Sequence, residues 1–257
     1  MLVAVTRAVS PTLAECELTH LSRDPIDVAK AVAEHACYEE ALRSLGATVV
    51  HAPPEPTLPD AVFVEDTALA LDEVAVITRP GAATRRLEIE SMARVLGAYK
   101  PLARIEPPGT LDGGDVLRVG RRLYVGLSSR TNRVGIAQLE TLLDKWGYVV
   151  IPVTVSGCLH LKSAVTEVRE DLLLINDRWV AAECFGSMEV VTVAPAEPDA
   201  ANALRIGAAV IYPMHHPQTA ERLDRAGVRM VPVPCGELAK AEGGVTCCSV
   251  VFETERT

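Results

Sequence analysis

The 257-residue chain has no cluster of lysine and arginine. Its 25 basic residues are scattered among 34 acidic ones, for a formal net charge of −9. That argues against nucleic acid as a partner, since binders of that class carry a basic stripe or patch. No apolar run approaches the ~18 residues that a membrane-crossing helix needs. The opening Met1-Leu-Val-Ala-Val-Thr-Arg lacks the charged, apolar and small-residue succession of a signal peptide and reads as a first strand. Seven cysteines show no regular spacing and no C-x-x-C pair, which argues against a disulfide framework and a zinc site. Free thiols in a reducing, cytoplasmic compartment are the expectation. No linker-like or low-complexity stretch divides the chain, so one domain spanning residues 1–257 is expected, as a monomer or a homodimer.

What is present is a repeat. Val3-Ala-Val-Thr-Arg7 recurs almost unchanged at Val74-Ala-Val-Ile-Thr-Arg79. Helical patterns run over Pro25–Leu45, Thr84–Leu96, Thr131–Trp146, Arg178–Phe185 and Pro217–Ala226. Each is followed by a glycine suited to a helix C-terminus (Gly46, Gly97, Gly147, Gly186, Gly227). A β-type run then ends at or near Pro53, Pro107, Pro152, Pro195 or Pro232. Units of this size that cannot bury their faces alone tend to stack around an axis. The pattern predicts an α/β fold of five blades, with an open α/β sheet of similar units as the alternative.

Several stretches carry residue types suited to chemistry. Glu242-Gly-Gly-Val-Thr-Cys247-Cys248-Ser249 places two thiols in a flexible turn before a short buried strand, Val250-Val-Phe252. Free cysteine is often a small core residue, so a nucleophile here requires a base from elsewhere. His160, in Gly157-Cys-Leu-His-Leu-Lys-Ser163, is the candidate, read as lying at a strand start. His20, His35 and His51 lie in helical or loop contexts, and His215-His216 is a weak metal signal. Asp60-Ala-Val-Phe-Val-Glu65-Asp66 surrounds an apolar run with three acids. Strand alternation would put Asp60 and Asp66 on one side and Glu65 on the other. Buried carboxylates need partners, and a planar cation would be one. Thr110-Leu-Asp112-Gly-Gly-Asp115 has the composition of a turn. In Gly126-Leu-Ser-Ser-Arg130, Ser128 or Ser129 is positioned to cap the third helix, and Arg130 suits a carboxylate ligand.

In this order, these segments resemble the dimethylarginine dimethylaminohydrolase family of the guanidine-modifying amidinotransferase, or pentein, superfamily. The resemblance rests on Leu58–Asp66, Ile77–Arg86, Thr110–Leu117, Gly126–Asn132, Leu159–Ser163 and Gly244–Val250, spanning nearly the whole chain. It implies a five-bladed α/β propeller that hydrolyses Nω-methylated arginine to citrulline and a methylamine, with no metal or organic cofactor. It further implies Cys247 as nucleophile, His160 as general acid/base and Asp112 as the carboxylate orienting it. Asp60, Glu65 and Asp66 would bind the guanidinium, and Arg85 and Arg130 the amino-acid end. Val9 and Ala241 would touch substrate through the backbone.

Two departures bear on that reading. Many bacterial relatives carry Glu where this chain has the shorter Asp112, and Cys158 is an extra thiol beside His160. Arginine deiminases have Asp two residues after the catalytic His, where this chain has Lys162, so another guanidine such as arginine is the second choice. A non-catalytic propeller that only binds ligand is the third.

Overall fold

The computed structural model describes residues 1–254. The five helix–glycine–strand units become five three-stranded sheets, each with one antiparallel and one parallel pairing. In the first, β1 (Leu2–Thr6) lies between β2 (Thr48–His51) and the last strand of the chain, Val250–Glu253. The second is β3 (Ala68–Ala70), β4 (Ala75–Ile77) and β5 (Leu102–Arg104). The third is β6 (Val116–Val119), β7 (Arg122–Leu127) and β8 (Val149–Thr154). The fourth and fifth are β9 (Val165–Arg169) to β11 (Glu189–Thr192), with β10 (Leu172–Ile175) between, and β12 (Leu204–Ile206) to β14 (Arg229–Val233), with β13 (Ala209–Pro213) between. This is the pentein α/β propeller. The final strand, β15, pairs Phe252 with Val3 and Val250 with Val5, so the two ends of the chain complete one blade.

The middle strand of each blade is the most buried, as an apolar run flanked on both sides requires. Val3, Ala75, Val76, Ile77, Leu123, Val125, Leu173, Leu174, Val210 and Ile211 are all sealed from solvent. In four blades the crossover to the parallel strand includes a helix: α1 (Val28–Ser44), α2 (Ile89–Leu96), α3 (Arg133–Leu143) and, later in the chain, Pro217–Arg225. Asp27 caps α1 by accepting from the Lys30 N–H, and proline opens the last of these helices, where its missing N–H costs nothing. Of the five terminal glycines, four take positive φ, between 70° and 89°, while Gly97 keeps a helical φ of −62°.

The chain departs from expectation in four places. The 178–185 segment forms only a 3-10 turn, Ala182–Phe185, because the Asn176 side chain accepts from the Arg178 N–H and holds the chain in a tight turn. Helix α3 is capped by Asn132, which accepts from Gly135, and not by Ser128 or Ser129. The 60–66 stretch is no strand but a run of turns into a 3-10 segment at Val64–Thr67. Its carbonyls are taken by buried arginines in place of a neighbouring strand: Arg7 donates to Ala61 and Arg85 to Asp60 and Phe63. His160 likewise precedes not a strand but a one-turn helix, α4 (Leu161–Ala164).

Gly135 tests the packing of the third blade. Alanine ordinarily stabilises a helix by about 1 kcal/mol over glycine. Here an added Cβ would stand 2.1 Å from the Thr110 carbonyl oxygen. Gly135→Ala is therefore expected to destabilise the protein by roughly 1–3 kcal/mol, the cost of overpacking. Urea unfolding checks this: the midpoint falls, and a midpoint that rises would contradict the packing described.

Candidate active site

Five chain segments that are distant in sequence meet at one small cavity, lined by Asp60, Asp66, Arg85, Arg130, His160, Ala241 and Cys247, among others. Cys247 comes from the turn before the last strand, and its Sγ accepts from the Gly244 N–H at 3.3 Å. The turn is tight because Gly243 lies against the Phe63 ring, where a Cβ would come within 2.1 Å of it. Burial raises the Cys247 thiol pKa far above its ordinary value, and the charges of Glu65 and Asp66 add to that. Both effects favour the thiol form of the sulfur.

His160 is buried, with Nε2 3.0 Å from Asp112 Oδ2 and 3.9 Å from Asp66 Oδ1. Its Nδ1 side lies against Gly114, which has no room for a Cβ. Burial alone would lower the imidazole pKa. The charge of Asp66 and the hydrogen bond to Asp112 outweigh it, and the ring is raised to about 9. Asp112 is itself fixed from three sides. Its Oδ1 accepts from the Gly81 N–H at 2.8 Å, its Oδ2 faces His160, and its N–H donates to Thr131.

Asp66 stands between cations. Oδ2 takes Nη1 of Arg85 at 2.5 Å, and Oδ1 accepts from the Gly114 N–H. Burial would raise this carboxyl, but His160 and Arg85 hold it at about 2. Asp60 is raised by burial, with Arg85 partly offsetting that, and its Oδ2 accepts from the Glu17 N–H. The cavity thus presents two acids beside a buried thiol, a setting that suits a planar cation.

The two arginines differ. Arg85 donates Nε and Nη2 to Glu88, Nη2 to the Phe63 carbonyl and Nη1 to Asp66, so most of its five N–H groups are committed. Arg130 donates from Nη2 to the Thr19 hydroxyl and has no ion pair among the described residues, which leaves its charge available to a ligand carboxylate.

Most of the residues singled out in the sequence come together here. Cys247, His160, Asp60, Asp66, Arg85, Arg130 and Ala241 line the cavity, and Asp112 sits behind His160. Glu65 does not line it: its carboxylate turns to Lys162 and Thr246 and borders a different cavity. Val9 packs against the apolar core and is also absent from the lining. Glu17, Phe63, Leu159, Glu242 and Gly243 complete it without having been assigned a site role. Glu242 and Gly243 belong to the turn that flagged Cys247, whereas Glu17 carried no signal. The Glu242 carboxylate accepts successive N–H groups of Thr19, His20 and Leu21, which ties the 17–21 loop beside the cavity. Among the described residues, one atom each from Asp66, Asp112 and His160 comes close enough to the others to share a metal ion. Those groups already engage Arg85, Gly81, Gly114 and one another, so the trio is complete as a hydrogen-bond network.

Comparison with known proteins gives this geometry a context. The family model described as N,N dimethylarginine dimethylhydrolase, eukaryotic, matches residues 19–184. The chain is 36% identical over 236 residues to the N(G),N(G)-dimethylarginine dimethylaminohydrolase of Pseudomonas aeruginosa, covering 91% of this chain and 92% of that one. For the protein of that name in Streptomyces coelicolor, identity is 38% over 250 residues, covering 96% and 95%. A solved structure of the Pseudomonas aeruginosa protein, a Cys-to-Ser mutant complexed with citrulline, matches with a TM-score of 0.93 at 34% identity, covering 97% of this chain and 98% of that one. The N-terminal domain of a cyanobacterial arginine dihydrolase shares the fold, with a TM-score of 0.88 at 18% identity and 98% of each chain covered.

The raised His160 pKa carries a sign that can be measured. Because the folded value of about 9 exceeds the ordinary 6.5, the stabilisation it represents is complete below pH 6.5 and is lost as pH rises through 9. Asp112→Asn is expected to lower the ring pKa by about one unit or more and to flatten that pH dependence. NMR titration of the His160 ring, with urea unfolding across the same range, checks both. A wild-type ring titrating at or below 6.5 would contradict the assignment.

Proposed function

The chain belongs to the dimethylarginine dimethylaminohydrolase family, and from that premise and the geometry of its site we propose a hydrolase that converts Nω-methylated arginine to citrulline and mono- or dimethylamine. The observation that carries this reading is the opening of the Cys247 thiol and the His160 ring onto one cavity walled by Asp60 and Asp66. The guanidinium lies against these acids. The amino-acid end of the substrate is held by Arg130, by the uncommitted N–H of Arg85 Nη1 and by the backbone near Ala241.

The chemistry follows from the charges. A buried thiol facing carboxylates is held protonated, and a guanidinium entering between them supplies the missing positive charge and favours the thiolate, the thiol proton passing to solvent. Sulfur attacks the central guanidinium carbon. The bond from that carbon to the methylated nitrogen breaks as cationic His160 gives that nitrogen its proton, and an amine departs. A covalent thiouronium remains on Cys247. Neutral His160 then takes a proton from water as the oxygen adds to the same carbon. The carbon–sulfur bond breaks, the sulfur takes up the proton of the new hydroxyl, and citrulline leaves with the thiol restored. Asp112 keeps the imidazole oriented through both halves, and Asp66 supports its charge.

The five sheets serve as one catalytic domain in this reading, with a small guanidine as the partner. No helix among the described residues is long and apolar enough to cross a membrane. The seven free cysteines are in keeping with a reducing compartment, and we place the protein in the cytoplasm, as a monomer or homodimer.

Incubation with asymmetric dimethylarginine, monomethylarginine and arginine, following citrulline, tests the assignment. Both methylated substrates should turn over faster than arginine; arginine as the best substrate, or no citrulline from either methylated one, would overturn it. Cys247→Ser should cut turnover by at least roughly 10³-fold, as loss of a nucleophile does. Cys248, which is buried and outside the cavity lining, should tolerate Ser with most activity kept. The reverse pattern would assign the chemistry to the other sulfur.

A further inference from the structure

A covalent intermediate on Cys247 sets a problem of access. An amine has to leave and a water has to arrive while the amino-acid end of the substrate still occupies the first cavity. On the reading of Cys247 and His160 as the reacting pair, we propose that a second, larger cavity is the route for both, and that its width selects the amine that can leave.

The second cavity, of about 490 Å³, shares Leu159, Glu242, Gly243 and Cys247 with the first. The two therefore meet at the sulfur and beside His160, where the leaving nitrogen receives its proton. Asp60, Asp66, Arg85, Arg130 and Ala241 line the first cavity and not the second, so the groups that hold the substrate do not reach into it. Its far end opens to solvent between His20, Asp24, Asp199 and His215, all of them exposed. The histidine pair at 215–216, which the chemistry does not use, thus stands on the wall of this passage.

The walls fit a small alkylamine. Leu21, Leu159, Trp179 and Ala239 give apolar surface for methyl groups, and Asp24 and Asp199 give negative charge. The Trp179 wall is closely packed. Gly157 has a φ of +79°, and an added Cβ there would stand 2.7 Å from the indole, so the loop that carries Leu159 lies directly on the ring. An aromatic face with carboxylates nearby attracts methylated ammonium groups. His160 supplies one proton to the nitrogen, so the amine leaves the carbon uncharged. On taking a second proton from solvent it becomes an ammonium ion, without the lone pair needed to add back to the thiouronium. The acids along the cavity favour that cation, and water moves inward by the same path.

The test narrows the passage at residues outside the first cavity. Ala239 ends the short helix Gly236–Ala239, and both it and His215 line only the second cavity of the two. Ala239→Trp should lower kcat about tenfold on asymmetric dimethylarginine, which sheds dimethylamine, and about threefold or less on monomethylarginine, which sheds the smaller methylamine. Inhibition by added citrulline, which occupies the first cavity, should stay within about twofold of wild type, as independent sites require. Equal losses on the two substrates would overturn the inference, as would kcat within about twofold of wild type on both, or a loss matched by weakened citrulline inhibition. If Ala239→Trp does not fold, His215→Trp, at the exposed end, carries the same test with the same outcomes. A wild type that makes no citrulline, or a Cys247→Ser protein that does, would instead overturn the reading of the site itself.

Discussion

Arg85 sits at the centre of a buried charge cluster on which the geometry of the cavity depends. Its guanidinium joins Asp66 and Glu88 through side chains and takes the carbonyls of Asp60 and Phe63, so one planar cation folds the 60–66 segment into turns. Burial opposes its charge, yet the acids of Glu88 and Asp66 hold it firmly protonated. Breaking such a pair from one side leaves an uncompensated charge in the interior, at a typical cost of about 3–5 kcal/mol. A second buried arginine, Arg7, supports the same region through Ala61, the Glu88 carbonyl and Ser91.

From this cluster the electrostatics pass to the chemistry without a gap. Asp66 shares its two oxygens between Arg85 and the neighbourhood of His160, and His160 leans on Asp112. The imidazole pKa is therefore raised to about 9 despite burial, while burial and the neighbouring acids raise that of the Cys247 thiol. Both shifts are upward and keep a proton on each group, which suits the proposed site, where an acid is held ready and a thiol is withheld until a cation arrives. Pairs of groups driven apart in pKa are a recurring way to run acid and nucleophile chemistry at one pH.

Legibility in the sequence varied with the range of the interaction involved. Units set by local periodicity, such as α1, α3 and the strands after Gly46 and Gly147, stood out because apolar spacing and terminal glycines act within a few residues. Segments governed by distant partners did not. The acids at 60–66 alternate like a strand, but Arg7 and Arg85 claim the carbonyls a strand would have offered to a neighbour. Glu65 and Asp66 are adjacent and chemically alike, and only the positions of Lys162 and Arg85 turn one toward Thr246 and the other toward the cavity.

The chain by itself determined the five-blade repeat through local spacing, and its motifs carried the resemblance to the family and to the thiol, imidazole and carboxylates proposed to act. Which acids line the cavity, which arginine keeps a free charge and which loop is tied beside the site were decided only by the tertiary structure. The physical reason is that each turns on a charged group finding a partner 19 to 223 residues away, a pairing that no local pattern encodes.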